Sequence, residues 1–305
     1  MREVLILGCG YTGRHVAARL LAHGVSVVAA ARDEETLASL AERGATVVAF
    51  DAARPASWGG VASAAARLTP GFAVLLSVPP LERLGVRGDA TAALLATLSP
   101  PGRVVYLSST SVYGGQRDVD AETAAAPRTH EGALRLDAER GVARGPWSSL
   151  VLRASAIYGP GRGLHARAGA APRRGGDPDR VVSRIHVDDL AALCEAALAS
   201  GLTGAYPAAD SSPASAREVA AFCASLGLVP PALPDRIPGP HGGRRVDGRA
   251  AFEALGVALA YPSYREGVVA SIAAPLTPPP PPRRPPPARG GTAARPRGTR
   301  ARRRA

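Results

Sequence analysis

Two rhythms of apolar residues alternate along the first half of the chain. Nearly continuous short runs stand at EVLILG (3–8), VSVVAAA (25–31), ATVVAF (45–50), GFAVLLSV (71–78), RVVYLSS (103–109) and WSSLVLRAS (147–155). Such runs are what strands buried on both faces require. Between them the spacing changes to three and four. In TGRHVAARLLAHG (12–24), Val16, Leu20 and Leu21 fall on one helical face and Gly24 closes it. DEETLASLAERG (33–44) and GDATAALLATLS (88–99) read as further helices. Strands alternating with helices predict right-handed β-α-β units, hence a Rossmann-like, doubly wound parallel sheet of the α/β class. After Gly159 the rhythm becomes irregular, with helices expected at HVDDLAALCEAALAS (186–200) and SAREVAAFCASLG (215–227). The organisation expected is a Rossmann domain over 1–158, which also receives later segments such as 181–210. A small substrate lobe occupies most of 159–274, and a tail covers 275–305.

Composition changes the picture at the tail. The formal charge is +12, but Pro275 to Ala305 holds nine Arg and no acid, leaving three net charges for the rest. The tail also has ten Pro and almost nothing to bury, so disorder is expected. A basic arm can bind nucleic acid. This chain, however, has no Lys and is rich in Ala, Arg, Gly and Pro, so its basicity reads as compositional and argues against a nucleic-acid partner. Cys9, Cys194 and Cys223 are odd in number and lack C-x-x-C spacing, which predicts a reducing compartment and neither disulfides nor a metal site. No apolar run is long enough to span a bilayer, and MREVLILGCG enters a strand directly. The expectation is a soluble cytoplasmic protein without membrane contact, monomeric or homodimeric, acting on a small molecule.

The candidate chemistry begins at Gly8-Cys9-Gly10-Tyr11-Thr12-Gly13, a G-x-G-x-x-G between the first strand and first helix. Gly8 permits the tight turn, Gly10 lets a pyrophosphate approach backbone, and Gly13 lets helix pack on strand, with Tyr11 and Thr12 opening the helix toward the phosphates. The second strand ends at Arg32, which suits a 2′-phosphate and favours NADP; Asp33 beside it leaves NAD open. Two later stretches, VVYLSSTSVYG (104–114) and LRASAIYGPGR (152–162), place hydroxyls and a Gly/Pro loop at strand ends, and SRIHVDDLAAL (183–193) follows. There, Asp188 and Asp189 read as helix-opening acids rather than metal ligands.

With FDAARPAS (50–57), these motifs closely resemble the extended short-chain dehydrogenase/reductase superfamily, the NAD-dependent epimerase/dehydratases, over about residues 2–273. The final part, from Gly243, is similar to an atypical NAD(P)-binding branch. The resemblance implies that Asp51 meets the adenine, that Ser77, Val78 and Pro79 line the cofactor, and that Ala156 lies near the nicotinamide. It implies that Ser109 hydrogen-bonds the reacting oxygen. Thr110 and Ser111 stand where the dehydratases carry Asp-Glu, which argues against sugar dehydration.

The family's acid/base pair, Tyr-x-x-x-Lys, is absent. Aligning the trailing Glu of that motif on Glu139 puts Glu131 at the Tyr position and Arg135 at the Lys position. Arg135 can supply charge and hydrogen bonds but no usable deprotonated form, and Glu131 is a base near neutrality unless burial raises it. The plain alternative is that Glu131, Arg135 and Glu139 form an i,i+4 charge ladder. Two functions follow. One is an NAD(P)-dependent oxidoreductase or epimerase acting on a small carbonyl, hydroxyl or sugar-like substrate through Ser109, Glu131 and Arg135. The other is an NAD(P)-binding redox sensor or scaffold without hydride chemistry. A methyltransferase stands third, since it leaves SSTSVYG and IYGPGR unexplained.

Overall fold

The computed structural model describes residues 1–81, 89–166, 177–229, 232–233 and 242–274. The chain opens as β1 (Glu3–Leu7), α1 (Tyr11–Ala22), β2 (Ser26–Ala31), α2 (Ala38–Ala41), β3 (Thr46–Ala49), α3 (Trp58–Ala65) and β4 (Ala73–Leu76). It continues through α4 (Thr91–Leu95), β5 (Arg103–Ser109), β6 (Asp118–Val119), α5 (His130–Ala143) and β7 (Ser148–Ala154). Two predicted helices are shorter than their sequence pattern. The second is a 3-10 turn at Glu35–Leu37 running into the four residues of α2. The Asp33 carboxylate accepts the Glu35 N–H and the Asp33 carbonyl accepts the Thr36 hydroxyl, which winds this entry tightly. Helix α4 begins only where Asp89 accepts the Thr91 N–H.

The second half adds β8 (Ala156–Tyr158), β9 (Val181–Val182), β10 (Arg184–His186), α6 (Val187–Ala199), β11 (Gly204–Ala208), β12 (Ala214–Ser215), α7 (Ala216–Ser225), β13 (Gly243–Val246), α8 (Arg249–Leu255) and α9 (Tyr264–Ala273). The main sheet has seven strands in the order β11-β7-β5-β4-β1-β2-β3, every pair parallel. This is the predicted Rossmann-like α/β architecture. The order reverses beside β1, and ligands of open α/β sheets bind beyond the carboxyl edge at such a switch point.

Both faces of the sheet are buried. Val4, Ile6, Leu75 and Val105 pack toward α1 and α6; Leu5, Leu7, Val74 and Leu76 pack toward α3, α4 and α5. Burying each such side chain contributes roughly 1.5–3 kcal/mol, which is why the apolar runs commit to strands. A separate small core of Tyr158, Ala214, Val219, Cys223, Tyr264 and Val268 holds α7 and α9 over the carboxyl edge. Both helices start with complete capping boxes, Ser215 with Glu218 and Ser263 with Glu266. Asp189 ties α6 to the C-terminal segment by accepting the Ala260 and Tyr261 N–H groups. No helix among the described residues is long and apolar enough to cross a membrane. The tail from 275 lies outside the described residues.

Candidate functional site

The Gly-rich turn joins β1 to α1 at the switch point. Gly8 has φ +84°, and a Cβ there would stand 2.6 Å from the Ser77 carbonyl oxygen and 2.7 Å from Val78. A Cβ on Gly13 would lie 3.2 Å from the Gly8 carbonyl oxygen, so this residue lets α1 settle on the strand. Gly10 differs: its Cβ would meet only the Gly8 oxygen, at 3.9 Å. Space on that side of Gly10 is therefore open to a ligand. Gly10 is also the N-cap of α1 and offers no side chain to the first-turn N–H groups. An uncapped helix start with an open backbone approach fits a dinucleotide pyrophosphate. Thr12 is buried, and the Tyr11 hydroxyl donates to the Pro160 carbonyl, fastening the turn to the loop after β8. Cys9 is fully buried, and burial pushes its thiol up to about 12, so it is packing rather than a nucleophile.

The rim beside this turn holds the other expected cofactor contacts. Arg32 is exposed just past β2 and makes no hydrogen bond or ion pair to a described residue. Asp33 is occupied by its local turn. Asp51 lies past β3, its carboxylate accepting the Ala53 N–H and pairing with Arg54. Ser77, Val78 and Pro79 follow β4; the Ser77 N–H donates to the Leu7 carbonyl, and Val78 is buried against Gly8.

Ser109 ends β5 at the wall of a cavity of about 480 Å³, where Ala156 also lies. The Ser109 oxygen accepts the Ser111 N–H, which holds the following 3-10 turn, Thr110–Tyr113, in place. Sequence reasoning missed most of the other lining. Arg128, Arg180 and Arg244 contribute to it, together with Ser111 and Ser155, and no carboxylate does among the described residues. The Arg244 guanidinium donates to the carbonyls of Thr110, Gly114 and Gln116, so this arginine shapes the turn from across the cleft. These arginines lie on loops and a short strand without a motif, so only the tertiary fold reveals that they converge.

Helix α5 places the two residues at the Tyr and Lys positions differently. Thr129 caps it by accepting the Gly132 N–H. Glu131 is 76% exposed and outside the cavity lining, 3.8 Å from Arg135 in the i,i+4 pair. Arg135 is only 12% exposed, its Nε buried without a partner, near the buried Tyr106 hydroxyl that it acts upon electrostatically. Glu139 turns fully inward. It receives a fork from Arg153, with Nη2 at 2.8 Å, and a hydrogen bond from Ser108. Arg153 also donates to the Tyr113 hydroxyl and lies 5.0 Å from the centre of that ring. This buried chain fixes α5, β5 and β7 directly behind Ser109. His186 is equally buried, its ring against Tyr158 and Tyr261, and burial holds it down at about 4, so it is a neutral core residue. Among the described residues no cluster of His, Cys, Asp and Glu could hold a metal ion.

Residues 4–69 match the TrkA-N domain family. A 3-diazoavenalumate denitrifying reductase of a Streptomyces species is 29% identical, covering 87% of this chain and 99% of the relative. A Methylobacillus flagellatus structure, provisionally described as an NAD-dependent epimerase/dehydratase, is 25% identical with a TM-score of 0.69, covering 89% and 98% of the two chains. MoeE5 in complex with UDP-glucose and NAD shares the fold at 24% identity, with a TM-score of 0.69 over 90% and 98%. The switch-point turn and the parallel sheet are those of a Rossmann-like α/β fold, and over nearly its full length the chain is similar to a structure described as an NAD-dependent epimerase/dehydratase.

Proposed function

We propose that the chain is an NAD(P)-dependent reductase that takes a small electrophilic substrate at the Ser109 cavity. The observation that carries this reading is the open, uncapped Gly-rich turn at the same sheet edge as that cavity. A bound reduced nicotinamide supplies hydride. The chain's own part is to bind the pyrophosphate at the α1 N-terminus, to offer Arg32 to a 2′-phosphate, and to present the Ser109 hydroxyl to the substrate. Arg32 without a competing partner, and Asp33 engaged in its turn, support NADP over NAD.

Proton supply separates the possible substrates. A carbonyl acceptor develops an alkoxide, and Ser109 can hydrogen-bond it, but the proton must then come from water. Glu131 stands outside the cavity, and Arg135 has no usable neutral form. A diazonium carbon needs no such proton. On such a carbon a hydride would form the new C–H bond, and dinitrogen would leave with the pair of the broken C–N bond. The denitrifying relative and the missing Tyr-x-x-x-Lys together favour an acceptor of this kind. The same absence favours the second reading, an NAD(P)-binding sensor without turnover.

Fluorescence titration of NADPH and NADH tests the cofactor, with about tenfold tighter NADPH binding expected and lost in Arg32→Ala. If neither nucleotide binds, the reading fails altogether. With NADPH bound, aryl diazonium and carbonyl panels test turnover. Oxidation with the diazonium panel that is weakened by Ser109→Ala supports the reductase. Binding with no oxidation by either panel leaves the sensor.

A further inference from the structure

The Ser109 cavity carries more positive charge than its own structure uses. Arg244 is satisfied by three carbonyls. Arg128 and Arg180 line the same space, and neither makes a side-chain hydrogen bond or ion pair to a described residue. Arg128 lies flat over the Gly115 backbone, where a Cβ would come within 2.5 Å of its guanidinium. Arg180 is close enough to bear on Arg244: burial first, and then this neighbouring charge, holds the Arg244 guanidinium below its ordinary value. Arg128 and Arg180 are exposed, and with Arg244 they make this wall positive, with no carboxylate among its described residues; a surface of that kind attracts an anion.

A second observation points the same way. Ser155, just after β7, is 5% exposed; the residue lines this cavity, and its buried hydroxyl has no partner among the described residues. The Ser111 hydroxyl, in the turn after β5 that also lines the cavity, is buried and has no partner among the described residues. An unpaired buried hydroxyl is costly, and two of them near two guanidinium groups that no described residue engages form a set of donors that lacks its acceptor.

We propose that this cavity takes a substrate bearing a carboxylate, which is held by Arg128 and Arg180 with the Ser111 and Ser155 hydroxyls as neutral donors. The proposal rests on the reading of the cavity as the substrate site and adds the substrate's class. A guanidinium fork matches the two carboxylate oxygens, and the hydroxyls fill remaining lone pairs. Anchored at this end, the substrate lies with its remaining part free to reach Ser109 and Ala156.

The test uses the full chain saturated with NADP⁺, whose own binding is measured first by calorimetry. Failure of that step defeats the reductase reading; the anion experiment is judged on protein that has passed it. Benzoate and 4-hydroxycinnamate are each compared with their primary amides, and UDP is titrated in parallel. The expected result is that the carboxylates bind about tenfold or more tightly than the amides. That preference shrinks in Arg128→Gln and in Arg180→Gln and disappears in the double variant, while Arg180→Lys keeps part of it. Ser155→Ala separates recognition from folding: it weakens carboxylate binding while leaving the melting temperature of the ligand-free chain unchanged or raised. Equal binding of acids and amides, a preference untouched by the arginine variants, no saturable carboxylate binding, or saturable arginine-dependent UDP binding would each overturn the assignment.

Discussion

Single residues at this site divide into those the fold needs and those only a ligand needs. Gly8 and Gly10 look alike in the motif, yet their surroundings differ. Alanine at 8 would be strained at φ +84° and would drive its Cβ into the Ser77 carbonyl. We expect Gly8→Ala to cost roughly 1–3 kcal/mol or more in urea unfolding. Alanine at 10 meets nothing nearer than 3.9 Å, and its φ of −83° lies outside the left-handed region. Gly10→Ala should therefore cost less than about 1 kcal/mol of stability while weakening NADPH binding about tenfold or more. A stable Gly10→Ala protein with unchanged cofactor affinity would remove the pyrophosphate from this turn.

At the scale of elements, the main tie behind the site is the Glu139–Arg153 fork between α5 and β7. Both partners are buried, so removing one leaves an uncompensated charge among apolar neighbours. Glu139→Gln or Arg153→Met alone should cost roughly 3–5 kcal/mol, and the double replacement clearly less than the sum. Additive losses in a double-mutant cycle would show that the pair is not coupled. The i,i+4 spacing of Glu131, Arg135 and Glu139 was plain in the sequence, but one repeat gave three environments. Glu131 faces solvent, Arg135 is nearly covered, and Glu139 is in the core. Spacing puts residues on one face of a helix; how deeply each sinks depends on what β5 and β7 place opposite. Arg153 lies in a strand that reads as uniformly apolar around it, and no periodicity announces it as the partner of Glu139.

For the whole molecule, the stability profile against pH contains an unusual contribution from Asp210. It follows β11, is 1% exposed, accepts one N–H from Ser212 and leaves its second oxygen unpartnered. Burial pushes it up to about 7; Ser212 and Arg184 pull the other way, while Asp189 and Glu266 add to the rise. The unfolded value is near 3.9, so the folded chain holds this proton more tightly. Stability contributed here is present at low pH and is lost as pH rises from about 4 through about 7. His186, held down at about 4, acts with opposite slope below its unfolded value of about 6.5. The difference between two chains isolates Asp210: Asp210→Asn should exceed the original in stability at pH 8, by on the order of 2–4 kcal/mol, and show little gain near pH 4. A pH-independent difference in urea unfolding would rule this out.

What the sequence determined by itself is the architecture and the place of its edge. Nearly continuous apolar runs can be buried only in a sheet covered on both sides, and the G-x-G-x-x-G after the first run marks where that sheet leaves space for a phosphate. Those are local properties, written in consecutive residues. Tertiary structure alone decided what lines the cavity. Arg128, Arg180, Arg244 and Ser155 come from four separate segments, and neither their convergence nor the lack of a carboxylate among them is a property of any one stretch. It also decided that Glu131 points to water while Glu139 is buried. Charge and burial are set by neighbours distant in the chain, and those neighbours exist only once it has folded.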